Sequence, residues 1–226
     1  NDPDLLKDQP TDLLGAVQKT LSQVMRPFRE HISKNGTNWS VIAAASTGWA
    51  DRVFAHLAPE VRVGALWDAI ARLIRLDQPD PIAAWERHLA DLARRRDFLN
   101  ARRYRALKYS GPGTALTLGL APGHEWVSGR STSQGGTVFT PNLPTEEVFT
   151  MPHCEEVDGT VRSTKPLSHA GTLIDGFSMT FERGRVVACR ADRGEAVLRQ
   201  LLDTDPGASR LGEVALVPHS SPVAQS

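Results

Sequence analysis

The chain is nearly without cysteine: across 226 residues only Cys154 and Cys189 occur, too few for a disulfide framework and not in a Cys-x-x-Cys spacing. Reduced thiols and a cytoplasmic setting are the expectation. Neither cysteine has a partner placed as a nucleophile's base, so cysteine-hydrolase chemistry lacks support. Net charge is also missing. Lys plus Arg and Asp plus Glu number 26 each, which removes the overall field that would draw the protein to nucleic acid or to an anionic membrane. No apolar run approaches the ~20 residues of a membrane helix, and the opening Asn-Asp-Pro-Asp is not a signal peptide. Gly111, Gly113, Gly135 and Gly136 make no phosphate-loop or dinucleotide pattern. An initiating Met is absent too, and the closing Ser-Ser-Pro-Val-Ala-Gln-Ser completes no helix or strand. The sequence reads as an internal fragment of a longer protein, lacking both ends.

What is present is enough apolar matter for a real core, 40% of the residues. The periodicities predict an α+β chain, with an incomplete α/β portion over residues 1–105 and a mainly antiparallel β portion with one helix over 106–226. Leu14, Val17, Leu21, Val24, Met25 and Phe28 recur at helical spacing after Thr11, a candidate N-cap. Trp39 to Ala44 reads as a short buried strand, and Ser46 as the cap of a helix carrying Trp49, Val53 and Leu57. Pro59 and Asp80-Pro81 open two more helices, the second with an inward stripe of Ile82, Trp85, Leu89, Leu92 and Leu99. From Glu86 to Lys108 eight basic residues stand against three acids. A solvated helix face accounts for them better than a nucleic-acid stripe, because the rest of the chain cancels the charge. Beyond residue 106 alternation takes over: Leu116, Leu118 and Leu120, then Phe177, Met179 and Phe181 running into the hairpin turn Glu182-Arg183-Gly184-Arg185. Glu195, Leu198, Leu201 and Leu202 give one further helix.

Two acidic positions stand out. Glu146 and Glu147 lie within Asn142-Leu143-Pro144-Thr145-Glu146-Glu147-Val148-Phe149-Thr150, and Glu213 within Leu211-Gly212-Glu213-Val214-Ala215-Leu216-Val217-Pro218, all among residues that favour burial. A buried carboxylate needs a cation, a strong donor or a proton. A divalent metal would serve, and so would Arg, Lys or backbone amides; spacing alone does not choose between them. If 146–150 is extended, Glu146 and Glu147 point to opposite faces, so only one enters a given site. The candidate nitrogen ligands are His153, six residues after Glu147, with His124 and His169 in turns. No His-x-x-x-His or His-x-Asp pair occurs, and a lone loop histidine is more often solvated or structural.

Longer strings narrow the choice. The stretch Asn142 to His153, then Ser163-Thr164-Lys165-Pro166-Leu167, then Leu211 to Pro218 closely resemble the M29 family of metallo-aminopeptidases, of aminopeptidase T/S type. Smaller matches fall at Leu99-Asn100, Gly111-Pro112-Gly113-Thr114 and around Trp49-Ala50, so the resemblance covers nearly the whole chain. It implies a cytosolic exopeptidase that removes N-terminal residues from peptides as a homodimer, using two divalent ions, zinc or cobalt with magnesium as a further candidate. It places Glu147 and Glu213 as metal ligands, one of them bridging, and puts the family's remaining His and Asp ligands beyond Ser226. Ala115 stands where relatives carry Asp. In such a site a water held by the ions attacks the scissile carbonyl. Glu146 is the candidate catalytic base, although strand alternation argues against it, and Lys165 is a candidate for stabilising developing charge. With ligands missing, the stretch by itself is expected to be inactive. The alternatives are a non-catalytic dimerisation or peptide-binding scaffold and, more remotely, a nucleic-acid-binding module built on the basic helix.

Overall fold

The computed structural model describes residues 9–169 and 172–225. The side chain of Leu14, expected in the first apolar stripe, lies outside what is described. The helices are α1 (Thr11–Val24), α2 (Arg26–Ser33), α3 (Thr47–Val53), α4 (Pro59–Leu73), α5 (Pro81–Arg102), α6 (Glu195–Leu202) and α7 (Pro222–Gln225). The strands are β1 (Val41–Ile42), β2 (Ala106–Gly111), β3 (Thr114–Leu120), β4 (Val127–Ser128), β5 (Ser131–Thr132), β6 (Val138–Phe139) and β7 (Asn142–Leu143). They continue with β8 (Val148–Thr150), β9 (Pro152–Arg162), β10 (Leu167–His169), β11 (Thr172–Ile174), β12 (Ser178–Glu182), β13 (Arg185–Arg190) and β14 (Val214–Leu216). The chain is α+β, as expected. Its two compact units do not follow a single cut: one comprises Asn1–Arg94, Ser128–Glu147 and Val217–Ser226, the other Arg95–Val127 and Val148–Leu216.

The first unit is mainly helical. Pro59 stands at the first turn of α4, where its missing N–H costs nothing, and the Asp80 carboxylate caps α5 by accepting the Ala83 N–H at 2.9 Å. Ala50, Leu66 and Ile70 form a core where α3 meets α4, with Ala43, Trp49, Phe54 and Ile74 packed against them. Ser46 precedes α3 as expected but makes no side-chain capping bond there. Several expectations are corrected here. The strand over Trp39 to Ala44 shrinks to Val41 and Ile42, which are exposed and pair in parallel with β7 through Asn142 and Leu143. The α1 helix begins at Thr11, with Pro10 rather than Thr11 in the capping position. Its stripe of Val17, Leu21 and Val24, continued by Phe28 in α2, is exposed rather than inward. Pro27 stands in the first turn of α2, where its missing N–H costs nothing. In α5, Leu89 and Leu92 are buried, but Ile82 is 78% exposed and Ala84 takes the inward place.

The second unit is built on a five-stranded antiparallel sheet in the order β13-β12-β9-β3-β2. Leu116, Leu118, Leu120, Val157 and Phe181 are among its buried side chains, and Ile174, Cys189 and Leu198 close a second cluster where α6 packs on β11 and β13. The expected hairpin turn is there: Glu182 pairs with Arg185, and Arg183 and Gly184 both have positive φ, the geometry of a type I′ turn. Asn100, at the end of α5, donates to the Trp126 carbonyl at 3.0 Å and accepts the Trp126 N–H at 2.8 Å, tying a helix to an extended segment. Where β9 crosses β3, Gly159 has φ +117°, and a Cβ there would run into the Ala115 carbonyl oxygen. Gly159→Ala therefore meets both a forbidden backbone region and a backbone clash. The expected loss is about 2 kcal/mol of unfolding free energy, read from chemical denaturation.

Candidate functional site

Two of the acids picked out in the sequence sit side by side in chain but in different circumstances. The run 146–150 is not one strand, as expected, because β8 starts only at Val148. Glu146 and Glu147 precede it in irregular backbone that follows the cis peptide Leu143-Pro144. Glu146 is the buried one, 7% exposed, while Glu147 is half-buried. Strand alternation is thus not what separates the two side chains; burial does, Glu146 being the more enclosed.

Glu146 meets a ready set of donors. Arg75 forks onto its two oxygens, Nη1 to Oε1 at 2.6 Å and Nη2 to Oε2 at 3.1 Å, and the Ser221 hydroxyl donates to Oε2 at 2.8 Å. The His88 Nε2 lies 3.4 Å from Oε1 and 2.7 Å from the Thr145 carbonyl oxygen, while its Nδ1 lies 3.2 Å from the Arg75 Nη2. A carbonyl only accepts, so Nε2 carries the proton and Nδ1 accepts from Arg75; one neutral tautomer satisfies both contacts. Arg75 stacks 5.1 Å from the Trp85 ring centre, and the Trp85 indole N–H donates to the Ile74 carbonyl at 2.7 Å. Arg75, His88 and Ser221 were not singled out from the sequence. Arg75 departs from local rule only in its backbone, a non-glycine residue at φ 60° just past α4. That conformation cannot be read from a neighbouring residue pattern.

Glu213 lies just before β14, exposed, and among the described residues it has no ion pair; the expectation that it is buried is corrected. It follows Gly212 in a loop, so its apolar neighbours in sequence are burying themselves in the next strand rather than around it. The strand β14 pairs antiparallel with β8, Val214 opposite Thr150 and Leu216 opposite Val148. The histidines behave as ordinary polar groups. The His153 Nδ1 accepts the Glu155 N–H at 3.2 Å and its ring lines a cleft with Glu182, Arg183 and Arg210. The His124 Nδ1 lies 2.9 Å from the Ala121 carbonyl, its ring edge-on to Trp126. His169 is half-buried in β10 and Lys165 is exposed. On the basic helix, Arg94 pairs with Asp91 and Arg96 with Asp97 at 2.8 Å, and Glu86 pairs with Arg130 from a later segment, all largely exposed contacts of the kind that contribute little to stability.

Whether these side chains suit a divalent metal is a question of donor count. A transition metal takes about four donors. Among the described residues no group of three or more His, Cys, Asp or Glu side chains is placed to hold one. Carboxylates such as Glu147 and Glu213 belong to the hard-oxygen class that a divalent ion takes as part of a shell, whereas the Glu146 oxygens are already engaged by Arg75 and Ser221.

The chain matches the family described as thermophilic metalloprotease (M29) over residues 1–226. It is 50% identical over 224 residues to aminopeptidase 2 of Geobacillus stearothermophilus, covering 99% of this chain and 54% of that protein. It is 50% identical over 226 residues to aminopeptidase T of Thermus thermophilus, with 100% and 55% covered. The solved structure of wild-type AmpT from Thermus thermophilus superimposes with a TM-score of 0.92 at 48% identity, over 100% of this chain and 55% of that one. The chain thus spans about half the length of the relatives it matches. With a family match over its whole length and relatives at this identity, the chain belongs to the M29 family of thermophilic metalloproteases.

Proposed function

We propose that the chain is part of a metal-dependent aminopeptidase that releases N-terminal residues from peptides. The observation that carries this reading is the match to AmpT, which covers the whole of the chain at 48% identity. In it, Glu147 and Glu213 are two ligands of a pair of divalent ions, zinc or cobalt, and the rest of the shell comes from residues outside this stretch. The chemistry supplied by a bound divalent pair is the activation of water and the polarisation of the scissile carbonyl. Glu146 has three of roughly four lone-pair sites engaged by Arg75 and Ser221. It is a poor acceptor for the catalytic proton, and its part is to hold the segment. Exo specificity requires an anionic or metal contact for the substrate's free amine, and carboxylates so close to the reaction supply that field. The family reading carries with it a cytoplasmic homodimer, and inactivity of the stretch taken alone.

The test is metal removal in the full-length polypeptide. Dialysis against a chelator is expected to abolish release of leucine from a leucyl anilide, and added zinc or cobalt to restore it. Full activity in metal-free protein, confirmed by elemental analysis, would overturn the reading. Activity of the 226-residue stretch alone would overturn the claim that ligands are missing from it.

A further inference from the structure

We propose that Arg75, His88 and Ser221 are positioning residues for the metal centre: through Glu146 and the Thr145 carbonyl they fix the segment that presents Glu147. This rests on the reading of Glu147 as a ligand.

Three separate parts of the chain converge on one carboxylate. Arg75 follows α4, His88 lies in α5 and Ser221 just before α7, 71, 57 and 75 residues from the groups they bind. Each fixes a different feature. The Arg75 fork sets the plane of the Glu146 carboxylate, because a bidentate guanidinium contact allows little rotation. Ser221 holds the second oxygen from another side. His88 holds the backbone itself, at the Thr145 carbonyl. Arg75 is in turn restrained by the Trp85 ring and by the bond from Trp85 to Ile74. Side chain and backbone of the residue before Glu147 are therefore both pinned, which leaves the Glu147 backbone little freedom.

The cost of this arrangement points the same way. A buried ion pair is seldom more stabilising than apolar residues of the same volume, so stability alone would be served as well by leucine and methionine. What apolar residues do not supply is a fixed carboxylate plane and a fixed carbonyl one peptide away from a ligand. Groups that orient metal ligands without touching the metal commonly change metal affinity by about 10–100-fold.

The experiment uses the full-length polypeptide stripped of metal and titrated with zinc against a chromophoric chelator. Arg75→Lys keeps the charge and loses the fork; its zinc affinity is expected to fall by about 10–100-fold, with kcat for the anilide lowered and KM little changed. The double replacement Arg75→Met with Glu146→Leu separates the roles, and also serves if the lysine variant does not fold. A merely structural network would be rescued by it, in zinc affinity as in Tm of the metal-free protein. A positioning network regains the Tm and not the affinity. Zinc affinity within twofold of the wild type in the double variant would overturn the proposal. Glu147→Gln is the control. If it binds zinc as the wild type does, the ligand reading itself fails; if it loses zinc while the double variant keeps it, only the positioning role fails.

Discussion

Arg75→Ala is expected to cost the folded protein about 3–5 kcal/mol, most of it through Glu146. The Glu146 carboxylate is 7% exposed, and among the described residues the cation that forks onto it is Arg75. Without it the charge keeps one hydroxyl, from Ser221, and a neutral histidine at 3.4 Å. Water cannot make up the difference at a site this buried, so an uncompensated anion remains. Two smaller losses add to it: the guanidinium over Trp85 disappears, and the His88 Nδ1 loses its donor. The contrast with the surface pairs is the check on the argument. Arg26 and Glu30 on α2 are close at 2.8 Å, yet both are half or more exposed, and replacing Arg26 is expected to leave the unfolding free energy almost unchanged. Denaturant unfolding of the two variants measures both numbers. A loss below about 1 kcal/mol for Arg75→Ala would mean that water reaches Glu146 and that the pair is not buried in solution.

How much of this was legible beforehand depends on the range of the interaction. The type I′ turn at Arg183-Gly184, the Pro59 start of α4, the Asp80 cap and the α6 helix were all readable, because each is settled within a few residues. The exposed stripe of Val17, Leu21, Val24 and Phe28 was not. Helical periodicity reports that one face is apolar and says nothing of what covers it. Ile82 failed in the same way, since the register of the buried face of α5 is set by what packs on it, such as the backbone at Gly129 against Leu89 and Leu92, rather than by its own sequence. At the site, spacing picked out the acids and left salt bridge and metal both open; the salt bridge is what Glu146 makes, and the metal is proposed for Glu147. Only the long strings around them separated the two, and nothing local announced Arg75 or Ser221, 71 and 75 residues away.

Replacing either proposed ligand tests the reading most directly. Glu147→Gln and Glu213→Gln are each expected to lower kcat/KM for peptide release by about a thousandfold, the scale of the several kcal/mol that a metal contributes to such a transition state. Neither change should unfold the protein, because Glu213 is exposed and without an ion pair among the described residues and Glu147 is half-buried; glutamine keeps the shape of both. The informative quantity is the double variant. Ligands of one centre act as a unit, so the second loss should add little to the first, and the combined effect should be far smaller than the product of the two. Independent roles would multiply, giving about a millionfold. Zinc stoichiometry reads the same question without turnover: a shared pair of ions falls in occupancy with either single change, whereas two unrelated acids would leave the metal content of at least one variant intact. If Glu213→Gln retains both metal and activity, the pairing of Glu147 with Glu213 is wrong, and the exposed carboxylate before β14 is an ordinary surface acid.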